Sequence, residues 1–519
     1  MSPLFIPTAA VVAAAVALAT PIPSSQDPSA GPAYLGHPVL AQPIAPKTQY
    51  LPDVSLMHGD GGGTNSTDYP GPLGTNPQVT STTTRLTPTL WDPAGHLTTG
   101  CAIIPSDPSA NGSCLRAVDP KTDQVLATWT PPETGQDLDM GYLEQTSDDR
   151  IVVASTQGHM YVVQRTDNAS GTSFTLQRDI DLVADGTLPA GDPLLNSMLD
   201  VNGNIWFTTG AVLDSGSGGH TDTTLGYIEP DGKVVSMTIP NQVVENGIAV
   251  SGSTAYVVTG PAGADDHANA TGYMSAFQAG PGDTITTAWQ ETYQAGSARK
   301  PGGFARGSGT TPALLGNRYV TIADHEDEQE HLLVYRQGTD VGDSSRLVCS
   351  VPLFTPGASA AEIGPIGHEQ GAEDDVVVLN AYNYPPLDLN PTDINGSYND
   401  MSQMTPGAER ITVNPGGKGC EVRWNTPIRM KSVPTLSTST GLIYGYTQDA
   451  NLAKEGIYVW YLVALDFQTG NEVWRVRAGA GGTYNDSYLA ASLGPDGTLY
   501  EGVQDGTVML KDGPGPAGS

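Results

Sequence analysis

The sequence predicts an all-β protein built from small repeated sheets, and three observations lead to this prediction. Gly and Pro are frequent, at 62 and 41 of the 519 residues, whereas charged residues make up only 15%. The apolar residues come in short runs rich in Val, Ile, Thr and Tyr that are bounded by Gly, Pro, Asn or Asp, as in strands joined by turns. After residue 20, no stretch has the dense 3.6-residue periodicity of a long amphipathic helix.

Two kinds of hairpin alternate along the chain. The first kind has turns such as "VNGN", "LGNR" and "GPDG", and it recurs eight times, each time before an apolar strand such as "IWFTTG" or "LIYGYT". Asn-Gly and Asp-Gly turns between alternating apolar strands are strong hairpin signals. The second kind is strand, turn, strand, and three of its four clearest copies end in Trp. These copies span 115–129, 226–239, 273–289 and 462–476.

Two hairpins per unit, repeated about eight times, predict four-stranded sheets arranged radially, which is a β-propeller. Each sheet is too small to be stable alone and must bury its faces against its neighbours. The last unit ends near Asp512 with sequence for only three strands. A strand from the segment before Thr87 would complete that unit and close the ring. The alternative is seven blades, with one hairpin outside the ring.

Four parts of the chain are expected. Residues 1–19 are predicted to be a signal peptide, because 4–19 is an apolar run too short to span a bilayer comfortably and 17–19 is a small-x-small cleavage site. Residues 20–75, rich in Pro, Gly, Ser and Thr, are predicted to be an irregular arm that partly packs on a propeller at 76–512. Residues 513–519 are predicted to be a disordered tail. The protein is therefore expected to be secreted, with no membrane span after signal removal.

The charge of the chain bears on its partners. A formal net charge of −32 argues against a nucleic-acid partner, because the backbone phosphates would be repelled. An acidic surface keeps a protein soluble outside the cell. The alternative is that some of the carboxylates bind divalent cations. The expected partner is an extracellular small molecule or a cell-surface molecule.

The four cysteines fit an oxidising compartment. Cys101 and Cys114 are close in sequence, which favours a local bridge. Cys349 and Cys420 would then pair with each other. We place these two in the outer strands of neighbouring blades, where a disulfide would staple one blade to the next.

The segment "ALDFQTGNEVW" (464–474) resembles the repeat of quinoprotein-type propellers, in which the Trp docks between blades. A looser copy lies at 116–129. The resemblance implies an eight-bladed secreted fold, shared by pyrroloquinoline quinone (PQQ) dehydrogenases and by scaffolds without a cofactor. Those dehydrogenases carry adjacent cysteines under the quinone. Because this chain has no Cys-Cys pair, PQQ is not expected.

Over its full length, the sequence also resembles a group of secreted actinobacterial propeller proteins of unassigned function. The matching stretches are 55–77, 300–317 and 484–502. This resemblance implies the fold and the export, and it implies no activity.

Segments 195–210 and 245–260 are similar to paired segments of the gluconolactonase and paraoxonase propellers. In that group an Asn at the start of an innermost strand points into the channel and binds calcium, and Asn196 and Asn246 occupy those positions. The group's other ligands are a Glu and an Asp, for which Glu245, Glu362 and Asp486 are the analogous residues here. The resemblance thus implies a Ca²⁺ site. The alternative is that each Asn caps a turn.

Three successive loops carry His together with carboxylates, at 220–222, 265–267 and 324–331. In a propeller the loop between the second and third strands returns to the face where the innermost strand starts, so the three loops converge on one face. Imidazole and carboxylate together suit a transition metal, or a general base beside a metal. His220, His267 and His325 are the candidate bases, and Asp324 is a further candidate metal ligand. The alternative is three solvated acidic loops.

Two function classes follow from these residues. The first is a secreted, non-catalytic propeller that binds a ligand or partner at the face of its central channel. The second is a calcium-dependent or other metal-dependent hydrolase of a lactone or ester. A PQQ-dependent dehydrogenase is the least favoured function. Fold alone does not choose among them.

Overall fold

A computed structural model describes residues 20–50, 55–101, 113–210, 221–303, 306–342, 344–386, 388 and 391–514. These residues form eight sheets, each with four consecutive antiparallel strands at its centre, arranged as blades in a ring. The prediction of an eight-bladed propeller is confirmed, and the seven-bladed alternative is not realised. The described residues contain only four short helical turns. These are Gly263–Asp265, Ser397–Asn399, Ala450–Ala453 and Gly482–Tyr484.

Each blade runs from an innermost strand to an outermost one. Blade 1 consists of Thr89–Trp91, Leu97–Cys101, Cys114–Asp119 and Gln124–Trp129, and blade 2 of Glu144–Gln145, Arg150–Ala154, His159–Asn168 and Gly171–Asp181. Blade 3 consists of Leu194–Leu199, Ile205–Thr209, Asp222–Ile228 and Val234–Pro240, and blade 4 of Ala249–Ser251, Thr254–Pro261, Thr271–Gly280 and Thr284–Gln294. Gln242–Val243 is added beside the second strand of blade 4.

The strands of blades 5 to 8 follow in the same order. Blade 5 consists of Ala313–Leu315, Tyr319–Ala323, His331–Arg336 and Leu347–Pro352, and blade 6 of Ile366–Gln370, Glu373–Leu379, Ala408–Val413 and Cys420–Thr426. Blade 7 consists of Thr435–Ser437, Leu442–Gln448, Val459–Asp466 and Glu472–Ala480. Blade 8 consists of Ser492–Leu493, Leu499–Val503, Gly506–Asp512 and, from the other end of the chain, Pro77–Thr82.

The ring closes as the sequence predicted. Pro77–Thr82 pairs antiparallel with Gly506–Asp512 and supplies the missing fourth strand of blade 8. The Asp512 carboxylate strengthens the closure by accepting hydrogen bonds from the backbone N–H groups of Leu73 (2.7 Å) and Thr75 (2.9 Å). The two distant parts of the chain therefore form one sheet.

Aromatic rings on outermost strands dock onto the following blade. The Trp129 ring of blade 1 lies 5.4 Å from the Tyr161 ring of blade 2. The indole of Trp424 in blade 6 donates to the carbonyl of Phe467, next to blade 7, at 3.0 Å. This inter-blade docking is the role that the resemblance implied for the repeated Trp.

Both predicted disulfides are present. Cys101–Cys114 joins the second and third strands of blade 1, and Cys349–Cys420 joins the outermost strands of blades 5 and 6. The second bridge closes a loop with a sequence separation of 71 residues, and such a bridge contributes about 3 kcal/mol to stability.

The arm is more ordered than its irregular sequence predicts. Tyr34–Gly36 pairs with the outermost strand of blade 7, and Ser55–Leu56 pairs with the innermost strand of blade 2. Ser66–Thr67 runs parallel to the innermost strand of blade 7. Sequence patterns did not reveal these pairs, because each partner lies far away along the chain.

Residues 55–67, which we name the plug, occupy the central channel. Plug carbonyls accept hydrogen bonds from backbone N–H groups on the innermost strands of four successive blades. These bonds run from Val250 to Gly61 (2.6 Å), Leu314 to Gly62 (2.8 Å), Gly367 to Thr64 (3.0 Å) and Leu436 to Asn65 (2.9 Å). The plug therefore pairs inner strand edges that would otherwise lack partners.

The three consecutive glycines of the plug, at 61–63, allow this close approach. An added Cβ at Gly62 would lie 2.5 Å from the ring of Tyr50, and one at Gly63 would lie 2.5 Å from the carbonyl oxygen of Pro312. Gly63 also has a φ of +65°, a left-handed conformation that glycine adopts without strain. The "GGG" sequence at 61–63 is thus explained by fit in the channel.

Two predictions about the ends of the chain lie largely outside the described residues. The signal peptide at 1–19 is one, and residues 515–519 of the predicted tail are the other. Gly513, by contrast, is held by hydrogen bonds from its N–H to the carbonyls of Thr75 and Asn76. No helix in the described part of the chain is long and apolar enough to cross a membrane.

Candidate functional site at the channel mouth

Polar side chains gather at the face of the ring where the innermost strands begin, which we name the mouth. Blades 2, 4, 6 and 8 each place one carboxylate a few residues before the innermost strand. These residues are Asp139, Glu245, Glu362 and Asp486. The sequence predicted Glu245, Glu362 and Asp486 as candidate calcium ligands, and the structure adds Asp139.

The two asparagines predicted from the calcium-binding resemblance join blades 2 to 5. Asn196 accepts from the N–H of Ile248 at 3.1 Å and donates to the hydroxyl of Thr208 at 3.0 Å. Asn246 accepts from the Tyr142 hydroxyl at 3.0 Å and donates to the carbonyl of Gly309 at 2.7 Å. Each side-chain oxygen thus already accepts a protein hydrogen bond, which a bound cation would have to replace. The calcium site at these residues stays a prediction.

His58 of the plug lies beneath this network. Its Nδ1 is 3.0 Å from Oδ1 of Asn65, its Nε2 is 3.3 Å from the hydroxyl of Thr311, and its ring stacks on Tyr142 at 6.0 Å. Burial lowers the pKa of His58. The imidazole is therefore a neutral hydrogen-bonding element of the plug near pH 7.

Glu362 and Asp139 flank the asparagines. The Glu362 carboxylate fits against two glycines, because an added Cβ at Gly303 or Gly309 would lie 2.6 or 2.3 Å from its oxygens. Asp139 accepts hydrogen bonds from the N–H groups of Gly141 (3.0 Å) and Asn196 (3.4 Å). Removal from water raises the pKa of Asp139 to about 6 despite these bonds. Glu245 lies close enough to Tyr142 to influence the pKa of that phenol.

Asp486 belongs to a separate buried centre between blades 7 and 8. The Lys431 ammonium donates to Oδ1 of Asn485 at 2.7 Å. Glu501 from the second strand of blade 8 lies against Asp486 and Ser432. Lys431, Asp486 and Glu501 are each at most 1% exposed. The structure therefore groups Asp486 with a lysine and a second carboxylate, at a distance from Asn196 and Asn246 around the ring.

Burial shapes the charges of this centre. It lowers the pKa of Lys431 to about 8, although Asp486 opposes the shift. It raises the pKa of Asp486 to about 6 against the pull of the Lys431 ammonium. Burial and the neighbouring Asp486 together raise the pKa of Glu501 well above its usual range. Burial thus favours the uncharged form of each group, and the attraction between the charges of Lys431 and Asp486 acts against it.

Three aromatic rings enclose the Lys431 ammonium. Its Nζ lies 5.1 Å from the ring centroid of Tyr488, 5.7 Å from that of Tyr384 and 5.9 Å from that of Trp460. Cations are attracted to aromatic faces at such distances. The Tyr384 hydroxyl also donates to the Lys431 carbonyl and lies 3.5 Å from Oδ2 of Asp486.

A recess of about 560 Å³ opens at the mouth next to this centre. The long loop between the second and third strands of blade 6 forms most of its wall. Its lining residues are Gly302, Asn383, Tyr384, Pro385, Pro386, Ser397, Asp400 and Gln403. The recess thus combines ring surfaces with amide, hydroxyl and carboxylate groups, and the rings of Tyr384 and Tyr488 lie between it and Lys431.

The predicted histidine loops lie in different environments. His220 is outside the described residues. His267 is exposed, and its backbone carbonyl accepts from Arg306 at 2.6 Å. His325 is buried, with Nδ1 3.3 Å from Glu330, which also pairs with Lys300 at 3.1 Å. Arg306 bonds the carbonyl of Gly296, beside His325, as well as the 265–267 loop, so these two loops lie next to each other.

Within the 324–331 loop, Asp324, Glu326 and His331 bring potential metal-ligand atoms within 4.8 Å of one another. Nδ1 of His331 lies 3.2 Å from Oδ2 of Asp324 and 3.4 Å from Oε2 of Glu326. Burial raises the pKa of Asp324 to about 6. Of the predicted metal ligands, Asp324 is the one that the structure places with a histidine and a second carboxylate.

Sequence reasoning missed Lys431, Glu501 and Tyr384. Lys431 stands in "IRMKSVPTL", where a lysine shortly before an innermost strand was an available signal. The predicted metal ligands and bases were His, Asn and acidic residues, a set that leaves lysine out. Glu501 lies inside an apolar strand, "LYEGV", where a lone carboxylate also indicates a buried polar centre.

Comparisons with known proteins agree with this fold. No protein-family model matches the sequence. An uncharacterized protein of Archaeoglobus fulgidus is 26% identical over 248 residues, which are 44% of this chain and 46% of that protein. The chain thus spans about half the length of this curated relative.

Among solved structures, the quinohemoprotein alcohol dehydrogenase of Comamonas testosteroni superposes with a TM-score of 0.53 at 10% identity, covering 90% of this chain and 82% of that one. The Dos1 propeller gives a TM-score of 0.41 at 8% identity, covering 82% of this chain and 92% of that one. At such identities the likeness concerns the fold alone. By its own topology, the chain is an eight-bladed β-propeller.

Proposed function

We propose that this protein is a secreted propeller that binds a neutral polyhydroxylated ligand, such as a carbohydrate, in the recess at its mouth. The observation that carries the proposal is the chemistry of the recess wall. The exposed ring of Pro386, next to the buried Tyr384 and Pro385, offers apolar surface to the C–H faces of such a ligand. Amide, hydroxyl and carboxylate groups of Asn383, Ser397, Asp400 and Gln403 are available for its hydroxyl groups.

Charge and rigidity support the same ligand class. With a net charge of −32, the protein does not attract anions, so a neutral ligand suits the mouth. The plug fills the channel behind the mouth, so a ligand approaches from one face only. The two disulfides are compatible with an extracellular location. A preformed site of this kind binds without a large ordering cost.

A panel of neutral mono- and disaccharides, tested by thermal shift and then by calorimetric titration, checks this proposal. At least one sugar is expected to raise Tm, and Gln403→Ala is expected to weaken its binding about fivefold, because one hydrogen bond contributes about 1 kcal/mol.

The matched control is Gln290→Ala. Gln290 is an exposed glutamine of blade 4 whose amide donates to Ser275 at 3.1 Å, much as the Gln403 amide donates to Ser402 at 3.2 Å. This variant is expected to bind the sugar as the wild type does. A panel without a single hit, or equal weakening in both variants, would contradict the proposal.

The cluster of Asp324, Glu326 and His331 favours a second candidate function, a metal-dependent hydrolase of a lactone or ester. Two carboxylates and an imidazole form a plausible set of ligands for a divalent cation such as zinc. A bound cation would polarise the ester carbonyl. These three residues bring potential ligand atoms together, whereas the oxygens of Asn196 and Asn246 accept protein hydrogen bonds.

If the protein is such a hydrolase, it is expected to retain about one divalent metal ion per chain after purification without chelator. His331→Ala is then expected to lose both the metal and the hydrolysis of p-nitrophenyl acetate. His96→Ala is the control, because His96 also lies between two carboxylates, Asp92 at 2.6 Å and Asp167 at 3.7 Å. Elemental analysis that finds no metal, with a melting curve unchanged by chelator, would rule out the hydrolase.

A further inference from the structure

We propose that Lys431 is a reactive amine that condenses with an aldehyde or ketone entering from the mouth, with Tyr488 as the movable cover over it. The inference builds on the recess of the proposed function and adds a covalent step to it. It rests on the enclosure of the amine, on its acidic neighbours and on the conformation of the covering residue.

The enclosure holds the amine in a fixed orientation. The Lys431 ammonium donates a hydrogen bond to Asn485 at 2.7 Å, and aromatic rings lie on its other sides. A salt bridge made for stability alone would bring a carboxylate oxygen into direct contact with the ammonium. Here Asn485 holds Nζ in place, and Asp486 acts on it through charge.

Two acids stand ready for proton transfer. Asp486 and Glu501 are completely buried and lie against each other, and in the described structure Oδ1 of Asp486 and both carboxyl oxygens of Glu501 accept no hydrogen bond of normal geometry. Buried polar groups are usually satisfied, and exceptions require an explanation. An acid–base role of Asp486 and Glu501 provides that explanation, and the lowered pKa of Lys431 agrees with a reactive amine.

Tyr488 provides the route to the amine. It is partly exposed, its ring lies 5.1 Å from Nζ of Lys431, and its hydroxyl donates to the carbonyl of Pro385, which lines the recess. Its backbone has a φ of +65°, a left-handed conformation that costs a non-glycine residue about 1 kcal/mol. Strained residues of this kind cluster at functional sites. Movement of Tyr488 to an unstrained conformation uncovers Lys431 towards the recess.

The chemistry balances without an oxidant or reductant. The Lys431 ammonium passes a proton to the Asp486 carboxylate, and the freed lone pair of Nζ attacks the carbonyl carbon. The carbonyl π electrons move to oxygen, which takes up the proton from Asp486, while the attached nitrogen passes one of its two protons back to Asp486 to give a neutral carbinolamine. A carboxyl group then protonates the hydroxyl, the nitrogen lone pair forms the C=N bond, and the C–O bond breaks with its electron pair to release water. One lysine ammonium and one carbonyl thus yield one protonated imine and one water.

Trapping with D-glyceraldehyde and sodium cyanoborohydride, followed by peptide mapping, tests the inference on the full chain. Cyanoborohydride reduces each imine to a stable amine. At pH 8, Lys431 is expected to be labelled about tenfold faster than the exposed Lys121 and Lys454, because more of its amine is neutral. Tyr488→Gly, which relieves the backbone strain and removes the cover, is expected to raise the rate at Lys431 a further severalfold.

Phe354→Gly is the matched control, because Phe354 is the other aromatic residue that the described structure holds at positive φ, here +60°. This variant is expected to leave the labelling of Lys431 unchanged. Absence of label at Lys431 in the wild type, while the exposed lysines react, would overturn the proposal. Absence of label at Lys431 in the folded Tyr488→Gly variant as well would show that the cover is not what prevents the labelling. Sugar binding without labelling refutes only this inference, and labelling without sugar binding refutes only the proposed function.

Discussion

Ending the chain at Asp505 is expected to abolish cooperative folding. The truncation removes Gly506–Asp512, the third strand of blade 8, which lies between Leu499–Val503 and the closing strand Pro77–Thr82. Val508 and Leu510 are completely buried there, and each such side chain contributes about 2 kcal/mol. The lost ladders add to this, and the sum approaches the whole stability of a typical domain, about 5–15 kcal/mol.

Thermal melting followed by near-ultraviolet circular dichroism, together with size-exclusion chromatography, measures this effect. The open ring is expected to give no sharp transition and to aggregate, because two unpaired strand edges become exposed. A chain ended at Pro514 keeps both ladders of the third strand and serves as the control. A cooperative melt of the Asp505 truncation within a few degrees of that control would show that the closing strand does not hold the ring.

The second large effect is expected from Asn65→Ala, which should lower the free energy of unfolding by about 3 kcal/mol. The Asn65 amide donates to the carbonyls of Gly364 and Pro365, both at 3.0 Å, and its Oδ1 bonds His58. Alanine leaves these buried groups unsatisfied, at a cost of about 1–3 kcal/mol. It also occupies a left-handed backbone position, with a φ of +49°.

Asn76→Ala separates the two contributions. Asn76 has nearly the same backbone conformation, with a φ of +47°, but its side chain is exposed. Urea denaturation is expected to show a loss of about 1 kcal/mol for Asn76→Ala. Equal losses in both variants would mean that the amide of Asn65 contributes nothing to holding the plug.

The sequence revealed those parts of the structure that repeat. The turn at 494–497 and the three strands up to Asp512 matched earlier units, so the missing strand of blade 8 was predictable. The disulfide between Cys349 and Cys420 followed by elimination once Cys101 was paired with Cys114, and both cysteines were placed in outer strands of neighbouring blades. Repeated units carry this information because the same short-range pattern occurs many times.

The plug and the Lys431 centre could not be predicted in the same way. The plug occurs once, and its partners, such as Leu314 and Leu436, are identified only by the closed ring. Asn196 lies in the innermost strand of blade 3 and Asn246 shortly before that of blade 4, but the hydrogen bonds that join Asn196 to Ile248 and Asn246 to Gly309 reach neighbouring blades. His325 looked like an exposed base in an acidic loop, yet the fold buries it against Glu330. Such environments depend on packing between blades, which a local pattern does not contain.

The position of the plug also sets the order in which the molecule assembles. Asn65 emerges early in synthesis, yet its carbonyl accepts from Leu436, and Ser437 donates to Tyr69 across 368 residues. Contacts this distant in sequence form slowly, because closing the intervening loop costs entropy before any bond rewards it. Blades 1 to 7, whose four main strands are neighbours in the chain, are therefore expected to form first. The plug is then expected to dock last, when its binding surface on blades 4 to 7 is complete. Only a molecule whose ring has formed can therefore hold the plug in the channel.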